Sequence, residues 1–341
     1  MIVVNDPGTW SAVYPQLLHA EWDGWTYTDT IFPFFLFLVG VSMALSFGRR
    51  RDEGADVASL FRHVAARAAA IVAVGVALNV TSFFAFHKEH LRYPGVLQRI
   101  GVCVLVGGAI FLFGGARGAA IAAAALLVGY WALLVGGPLD ATGNPGARLD
   151  HAVFGAHTWK PGWDPEGLLS TLPAIATTLL GALAGERLRT GTRGRLRGLF
   201  AAGLATAAAG LAWGRVFPIN KSLWTSSYAL LMSGLACASL TACVWIVDVR
   251  GWKRWAAPLL WLGRNAIAAF TLSTLGAIAL IAAKVAGSDG KQRSLWTAIY
   301  RTVFDRFEDP RLGSLLFALS YLALWTLVFG VLYRRRVFIK I

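Results

Sequence analysis

Charge is scarce in this 341-residue chain, where Asp, Glu, Lys and Arg together make up only 15% of the residues. A soluble globular protein normally carries about 25% charged residues. The hydrophobic set accounts for 56% of the chain, so the composition excludes a disordered protein and argues strongly against a soluble globular one. The composition is that of a membrane protein.

Cysteine is also rare, and Cys103, Cys237 and Cys243 lie in apolar runs without CxxC or metal-ligand spacing. No disulfide framework follows from them. The sequence has no GxxxxGK(S/T), GxSxG or HExxH motif and no acidic Mg-binding run. We therefore expect no metal site, and any chemistry must be built from polar residues at the membrane edges.

Nine apolar runs are long enough to cross a membrane, which takes roughly 20 mostly apolar residues. Ahead of them, MIVV before Asn5 is too short to span and is typical of the last turn of a helix whose beginning is missing. The sequence predicts an all-α, polytopic transmembrane helix bundle forming one domain over residues 1–341, with about nine complete spans plus the end of a truncated first span. The nine runs cover residues 31–48, 65–86, 97–114, 118–136, 167–185, 197–215, 225–248, 258–284 and 312–333.

The net charge of +14 is explained by where the basic residues lie. If residues 49–64 are cytoplasmic and the runs alternate, the inner ends hold 18 basic residues, Lys340 among them, against five acidic ones, and the outer ends hold 13 of each sign. Cytoplasmic loops carry the Lys/Arg excess, so we expect a cytoplasmic C-terminus. Loops 6–30, 137–166 and 286–311 would face the other side, and no nucleic-acid partner is needed.

The densest polar cluster precedes the first apolar run and includes Asn5, His19 and Asp29. Polar residues beside hydrocarbon are costly, so such a cluster is a functional hypothesis. His19 suits proton transfer, since histidine titrates near neutrality. Asp29 would orient the imidazole, and Asn5 would donate to an oxyanion. The alternative is an ordinary polar loop that His19 and nearby tryptophans anchor at the membrane interface.

A second cluster is RYPGVLQRIG (92–101), in which Gln98 and Arg99 fall inside the beginning of an apolar run. The planar fork of an arginine binds oxyanions in pairs, so a phosphate or carboxylate ligand suits this place. Snorkelling to the interface, or a structural pair with an acidic residue, would account for the same residues.

A third cluster is FPINKSLWTSSY (217–228), which leads into an apolar run and places Asn220 and Lys221 near a helix N-terminus. Helix N-termini attract anions, so this place also suits a phosphate. Capping of the helix by Ser222 is the alternative, and the two interpretations are compatible.

Two further groups are less informative. Asp164 and Glu166 precede the run at 167, where the helix dipole favours carboxylates and capping explains them. Arg264 and Asn265 lie near the inner end of a long run, where either a ligand contact or hydrogen bonds between helices would account for them.

Several of these segments, in this order, resemble the heparan-alpha-glucosaminide N-acetyltransferase family of polytopic membrane acyltransferases. The HAxWxGxTxxDxxFPxFLFxxG pattern at residues 19–40 is highly specific, and the resemblance runs through nearly the whole chain. The segments are VNDPGTWSAVYPQLLHAEWDGWTYTDTIFPFFLFLVGVSM, RYPGVLQRIG, DPEGLLSTLPAI, FPINKSLWTSSYAL and LGRNAI.

The resemblance implies an enzyme that moves an acetyl group from acetyl-CoA to an amino sugar or sugar hydroxyl of a glycan on the far side of a membrane. It implies His19 as catalytic base or acyl carrier, with Asn5 and Asp29 beside it. It also implies a bacterial-type member in the inner (cytoplasmic) membrane, with an envelope glycan as acceptor. The residues expected on the CoA side are Gln98, Arg99, Asn220, Lys221, Arg264 and Asn265.

The sequence leaves several alternatives open. Transfer would be either direct or through an acetyl-enzyme, on nitrogen or on oxygen, and a homodimer is neither required nor excluded. A transporter for a small anionic solute would also place Arg, Lys and His at helix ends, although no inverted repeat is visible. An inactive scaffold is the third alternative.

Overall fold

The structure is a computed structural model that describes residues 1–189, 193–286 and 290–339, and its described part is almost entirely helical. Two three-residue strands, β1 (Lys284–Ala286) and β2 (Gln292–Ser294), pair antiparallel. Lys340 and residues 287–289 of the predicted outer loop lie outside the described residues. The helices are α1 (Ile2–Asn5), α2 (Tyr27–Asp52), α3 (Val57–Ala85), α4 (Val96–Leu134), α5 (Pro145–Phe154), α6 (Thr171–Arg189), α7 (Arg193–Trp213), α8 (Ser226–Val244), α9 (Ala257–Gly263), α10 (Ala266–Ala282), α11 (Leu295–Ile299) and α12 (Pro310–Arg334).

Six helices in the described ranges, namely α2, α3, α4, α7, α8 and α12, are long and apolar enough to cross a membrane. The segment Arg254–Gly263, which contains α9, meets α10 at an angle of 72°. The two count as a seventh candidate if together they form one bent span. The predicted number of nine is therefore not confirmed by length and composition. The difference arises because α4 combines two predicted spans, and because threonines and a charged C-terminal end make α6 less apolar than the others.

α4 reverses its direction at Gly115, where φ is +60° and ψ is −160°. A straight helix of its 39 residues would be about 58 Å long. Yet both ends of α4 lie beside the beginning of α6, since Arg99 donates to the carbonyl of Gly167 and Leu134 shares an apolar cluster with Leu169. The two halves of α4 therefore run antiparallel.

α2 and α6 pack with their backbones in direct contact. A β-carbon built on Gly40 would lie 1.9 Å from the carbonyl oxygen of Thr178, and one built on Gly181 would lie 2.0 Å from the carbonyl oxygen of Phe37. Small residues permit this close approach, which drives helix association where lipid removes the hydrophobic driving force.

The segments that precede α2, α4, α6 and α8 meet at one end of the bundle. Arg92, before α4, pairs with Asp164, before α6. Lys221, before α8, contacts His19, before α2. The guanidinium of Arg99 lies 5.2 Å from the ring of Trp224 and links the two pairs of segments. Four helix N-termini, with the positive ends of their dipoles, therefore face one place.

Candidate active site

The first turn of α2 holds the carboxylate of Asp29. Its Oδ2 accepts hydrogen bonds from the backbone N–H of the N-cap residue Thr26 at 2.9 Å and from that of Ala20 at 3.0 Å. The bond back to the N-cap is half of a capping box with aspartate as its acidic member. The side chain is fully buried, and the helix dipole favours an anion in this turn.

His19 lies against the other oxygen of this carboxylate. Its Nδ1 is 2.7 Å from Oδ1 of Asp29, and about half of its side chain (52%) is exposed. A carboxylate partner on Nδ1 selects the tautomer that carries its proton on Nδ1. The lone pair of Nε2 is then left to accept a proton.

Lys221 reaches the same pair from the loop before α8. Its Nζ is 2.9 Å from Nδ1 and 3.1 Å from Nε2 of His19, and 3.6 Å from Oδ1 of Asp29. The ammonium is almost equally far from both ring nitrogens. In the plane of the ring, the carbon atom between these nitrogens would occupy such a position, so the ammonium must lie over the face of the imidazole. Burial lowers the pKa of Lys221, and the charge of Asp29 opposes that shift. The in-plane lone pair of Nε2 therefore stays accessible.

Asn220 shapes the loop between α7 and α8. It is fully buried, its Oδ1 accepts from the N–H of Leu223 at 2.8 Å, and its Nδ2 donates to Asp23 at 3.2 Å. Trp224 follows with a φ of +50°, which is unusual and strained for a bulky residue. The amide of Asn220 is thus engaged in holding this loop rather than directed at a ligand.

Arg99 is buried near the start of α4, with 2% of the residue exposed. Its Nη2 donates to the carbonyl of Gly167 at 3.1 Å and to Oγ of Ser170 at 2.5 Å. Within the described part of the chain, Nε and Nη1 have no hydrogen-bond partner. Buried donors without partners are costly, above all on a charged group. Arg99 therefore offers two nitrogens, which carry three N–H groups, to an oxyanion or carbonyl oxygen of a bound molecule.

Arg92 is a residue that the sequence analysis did not single out. Its Nε and Nη2 donate to the two oxygens of Asp164 at 2.7 and 2.6 Å, and Nη2 also contacts Glu166. The guanidinium lies 5.0 Å from the ring of Trp159. This forked ion pair fastens the segment before α4 to the segment before α6. The sequence did contain a signal for this ion pair, namely the arginine of RYPG and the two carboxylates of DPEG. The sequence analysis had explained the carboxylates by local capping.

Two residues that were predicted for the site, Gln98 and Asn5, make other contacts. Nε2 of Gln98 donates to the carbonyl of Tyr93 at 3.2 Å, and its Oε1 lies against Gly75 of α3. Asn5 is exposed at the end of α1, which packs against α12. The structure brings neither side chain into contact with His19.

Arg264 and Asn265 lie at the opposite end of the bundle, where the chain passes from α9 to α10. Oδ1 of Asn265 accepts from the N–H of Ile339 at 2.7 Å, and the guanidinium of Arg264 lies 5.5 Å from the ring of Phe338. Both residues hold the segment after α12. They are not brought together with His19, Arg99 and Lys221.

A cavity of about 560 Å³ lies toward that opposite end, between α2, α4, α6, α7 and α8. Arg187 and Arg195 lie at its charged end, and Phe37 and Ser233 lie deeper in the bundle. Phe37 is eight residues after Asp29 on α2, which is about 12 Å along the helix. The cavity therefore approaches the His19 site from the basic side of the molecule.

The arrangement is suited to transfer of a group to a nucleophile. An oriented imidazole can take a proton at Nε2, and a buried carboxylate on Nδ1 stabilises the imidazolium that forms. Lys221 and Arg99 place positive charge and N–H donors at the same end of the bundle, and such groups are suited to an oxyanion.

Comparison with known proteins places the chain in a family. The profile described as heparan-alpha-glucosaminide N-acetyltransferase, catalytic, matches residues 9–215, which include His19, Asp29, Arg92 and Arg99. Two curated proteins named heparan-alpha-glucosaminide N-acetyltransferase, from Homo sapiens and Mus musculus, are each 25% identical to it over 336 residues. These alignments cover 78% of this chain but 49% and 50% of the two relatives, so the chain spans about half their length. Since the profile matches more than half of the residues of this chain, the chain belongs to the heparan-alpha-glucosaminide N-acetyltransferase catalytic family.

Proposed function

We propose that the protein is a membrane acetyltransferase that moves an acetyl group from acetyl-CoA to an amino sugar or sugar hydroxyl, with His19 as the base. The observation that carries the proposal is the 2.7 Å hydrogen bond between Nδ1 of His19 and Asp29. It orients a half-exposed imidazole through Nδ1 and leaves Nε2 as the nitrogen that can take a proton. Membership of a family whose curated members are named N-acetyltransferases supports acetyl transfer.

In the proposed reaction, Nε2 of His19 takes a proton from the amine or hydroxyl of the acceptor. The nitrogen or oxygen then bonds to the carbonyl carbon of the thioester, the carbon–sulfur bond breaks, and the proton passes from His19 to the leaving thiolate. Asp29 stabilises the transient imidazolium. Lys221 and the unpaired Nε and Nη1 of Arg99 stabilise the oxyanion. In the two-step variant, Nε2 itself carries the acetyl group before the acceptor receives it.

The residues present fit an anionic, carbonyl-rich donor in two places. Lys221 is a partly buried cation that contacts His19, and Arg99 is a buried cation at the same end of the bundle with unused donors. The cavity bordered by Arg187 and Arg195 suits the phosphates of CoA, because Arg binds phosphate oxygens in a fork. Phe32, Trp224 and Tyr228 pack against one another, and Phe32 lies between Asp29 and the cavity residue Phe37 along α2. In the proposal, the thioester passes this aromatic cluster to reach His19.

The proposal includes the arrangement in the membrane. The two halves of α4 count as two crossings, and α6 and the bent pair of α9 and α10 as one each, which brings the total to nine. The basic ends then face the cytoplasm, together with the C-terminus, and His19 faces the opposite side. In a bacterial inner membrane this would be the periplasmic side, where an envelope glycan is the acceptor.

The test is transfer of radiolabelled acetyl from acetyl-CoA to glucosamine by the purified full chain in proteoliposomes. His19→Ala and Asp29→Asn should each lower kcat by a factor of about 10² to 10⁴, while acetyl-CoA still raises the unfolding temperature. His90→Ala is the matched control, since His90 is an exposed histidine of a loop at the same end. Full activity of His19→Ala would overturn the assignment of the base.

Two further measurements distinguish direct from two-step transfer, and an enzyme from a transporter. Intact mass after acetyl-CoA alone should show an acetylated wild-type chain only if the two-step variant operates, and none in His19→Ala. Accumulation of labelled acetyl-CoA inside the vesicles without acetylglucosamine would replace the enzyme proposal with a transporter.

A further inference from the structure

A second cleft, of about 230 Å³, lies at the same end as His19 but between different helices. One wall is a face of α3 that includes Leu78 and Phe83, and the other is a face of α10 that includes Phe270, Thr274 and Ile278. The α10 residues are spaced by four, so they form one stripe that extends about 12 Å along the helix. The cleft is therefore a groove between two helices within the membrane-spanning part.

Most polar side chains in this groove already have partners within the protein. Nδ2 of Asn79 donates to the carbonyls of Arg92 and Pro94 at 2.8 and 3.0 Å. Oγ1 of Thr274 donates to the carbonyl of Phe270 at 2.8 Å. These contacts leave largely apolar walls for an occupant, since the polar groups that line them are used.

The mouth of the groove is cationic and aromatic. Lys88, Arg92 and Trp159 line it, and Lys88 has no carboxylate partner within ion-pair distance among the described residues. Arg92 uses Nε and Nη2 on Asp164 and Glu166, which leaves Nη1. Burial and the neighbouring charge of Arg92 lower the pKa of Lys88, so the two cations repel each other and an anion between them would be stabilised.

We propose that this groove binds one anionic phospholipid, with its phosphate at Lys88 and Nη1 of Arg92 and an acyl chain between α3 and α10. The combination of an unpaired cation, an exposed tryptophan and apolar helix faces is typical of the level of lipid headgroups. A soluble anion would leave the apolar walls unused, and a zwitterionic lipid would bring no net negative charge to compensate Lys88 and Arg92. The proposal goes beyond acetyl transfer and does not depend on it.

Bound lipid has a structural consequence for the neighbouring site. Arg92 joins the mouth of the groove to Asp164 and Glu166, and the backbone next to them accepts a hydrogen bond from Arg99. A phosphate at Nη1 would hold Arg92 in this position without displacing its carboxylates.

The test is native mass spectrometry of the purified full chain in detergent, titrated with phosphatidylglycerol or with phosphatidylcholine of the same acyl chains. The wild type should retain one phosphatidylglycerol about fivefold more strongly than phosphatidylcholine, as one lysine at a lipid phosphate allows. Lys88→Gln should abolish this preference. Arg301→Gln, an exposed cation near the same end, is the matched control and should retain it.

Thr274→Trp, which fills the groove without changing its charge, should weaken the retention of both lipids. Equal retention of the two lipids by the wild type would overturn the proposal, as would equal effects of Lys88→Gln and Arg301→Gln. Displacement of the lipid by millimolar inorganic phosphate would show a site for free phosphate instead. Unchanged unfolding temperatures of the variants serve as the check on folding.

Discussion

Asp150, on α5, is a carboxylate buried where its charge is poorly compensated. Its Oδ1 accepts the N–H of Leu168 at 2.8 Å, and it fits against Gly167, where a β-carbon would lie 1.8 Å from its Oδ2. Burial raises the pKa of Asp150 from 3.8 to about 6; the charge of Asp164 adds to the rise, while the Leu168 bond and Arg99 oppose it. The residue thus docks α5 onto the segment that carries the partners of Arg99.

This shift predicts a pH dependence of stability. Between 3.8 and about 6, the folded state binds more protons at this site than the unfolded state, so its contribution to stability falls as pH rises through that window. Asp150→Asn, which keeps an acceptor for Leu168, should remove this contribution. The measurement is the unfolding temperature of both proteins across the window, and parallel curves would contradict the prediction.

The sequence could predict the contact between His19 and Asp29 because ten residues separate them and the pattern around them is local. It could not predict that Lys221 lies over the imidazole, since 202 residues separate it from His19. Arg99 was predicted as an anion ligand, but its unpaired Nε and Nη1 become visible only when α4 is placed beside α6. Arg264 and Asn265 were also predicted on the CoA side, and the structure places them at the opposite end from His19, against the segment after α12.

At the scale of the elements, the contact between α2 and α6 positions the candidate base relative to the segment before α6. It depends on reciprocal glycines, since Gly40 faces the backbone of α6 and Gly181 faces the backbone of α2. Any side chain at these positions must push the helices apart, because the atoms it meets are carbonyl oxygens of the partner.

Gly40→Ala should therefore lower the unfolding free energy, by about 1–3 kcal/mol as for other overpacked cores, and reduce the yield of folded protein. Gly129→Ala is the control, because a β-carbon there meets nothing within 4 Å. Thermal unfolding in detergent measures both. A destabilisation of equal size in the two variants would mean that loss of a glycine, not helix contact, is responsible.

Helices were more predictable than the connections between them. Apolar runs locate α2, α3, α7, α8 and α12, because a spanning helix must be apolar along its whole length. The hydropathy of α4 separates two runs but not the manner of their connection, which is a single non-helical residue, Gly115. The pairing of β1 with β2 depends on backbone hydrogen bonds, so the hydropathy of the sequence does not predict it.

At the scale of the whole molecule, the reversal in α4 determines which loops share a side. With two crossings in α4, the loop after α2 and the loop after α4 lie on opposite sides of the membrane. With one crossing they would lie on the same side. From the distribution of basic residues we expect the loop after α2 to be cytoplasmic.

Cysteine labelling tests this arrangement in a chain whose three native cysteines are replaced. In intact cells, an impermeant maleimide should label Thr142→Cys and should reach Glu53→Cys only after permeabilisation; both positions are exposed. Labelling of both positions, or of neither, in intact cells would show that α4 crosses once, and the reverse pattern would show that the orientation is inverted.

The local hydrogen bonds of Asp29 also bear on biosynthesis. Its donors are His19, Ala20 and Thr26, all within ten residues, whereas Lys221 leaves the ribosome much later. The first long helix can therefore enter the bilayer with its carboxylate already satisfied, rather than wait for a cation from a later helix. The imidazole can be oriented before later helices are made, and the cluster becomes complete only when the loop before α8 has joined it.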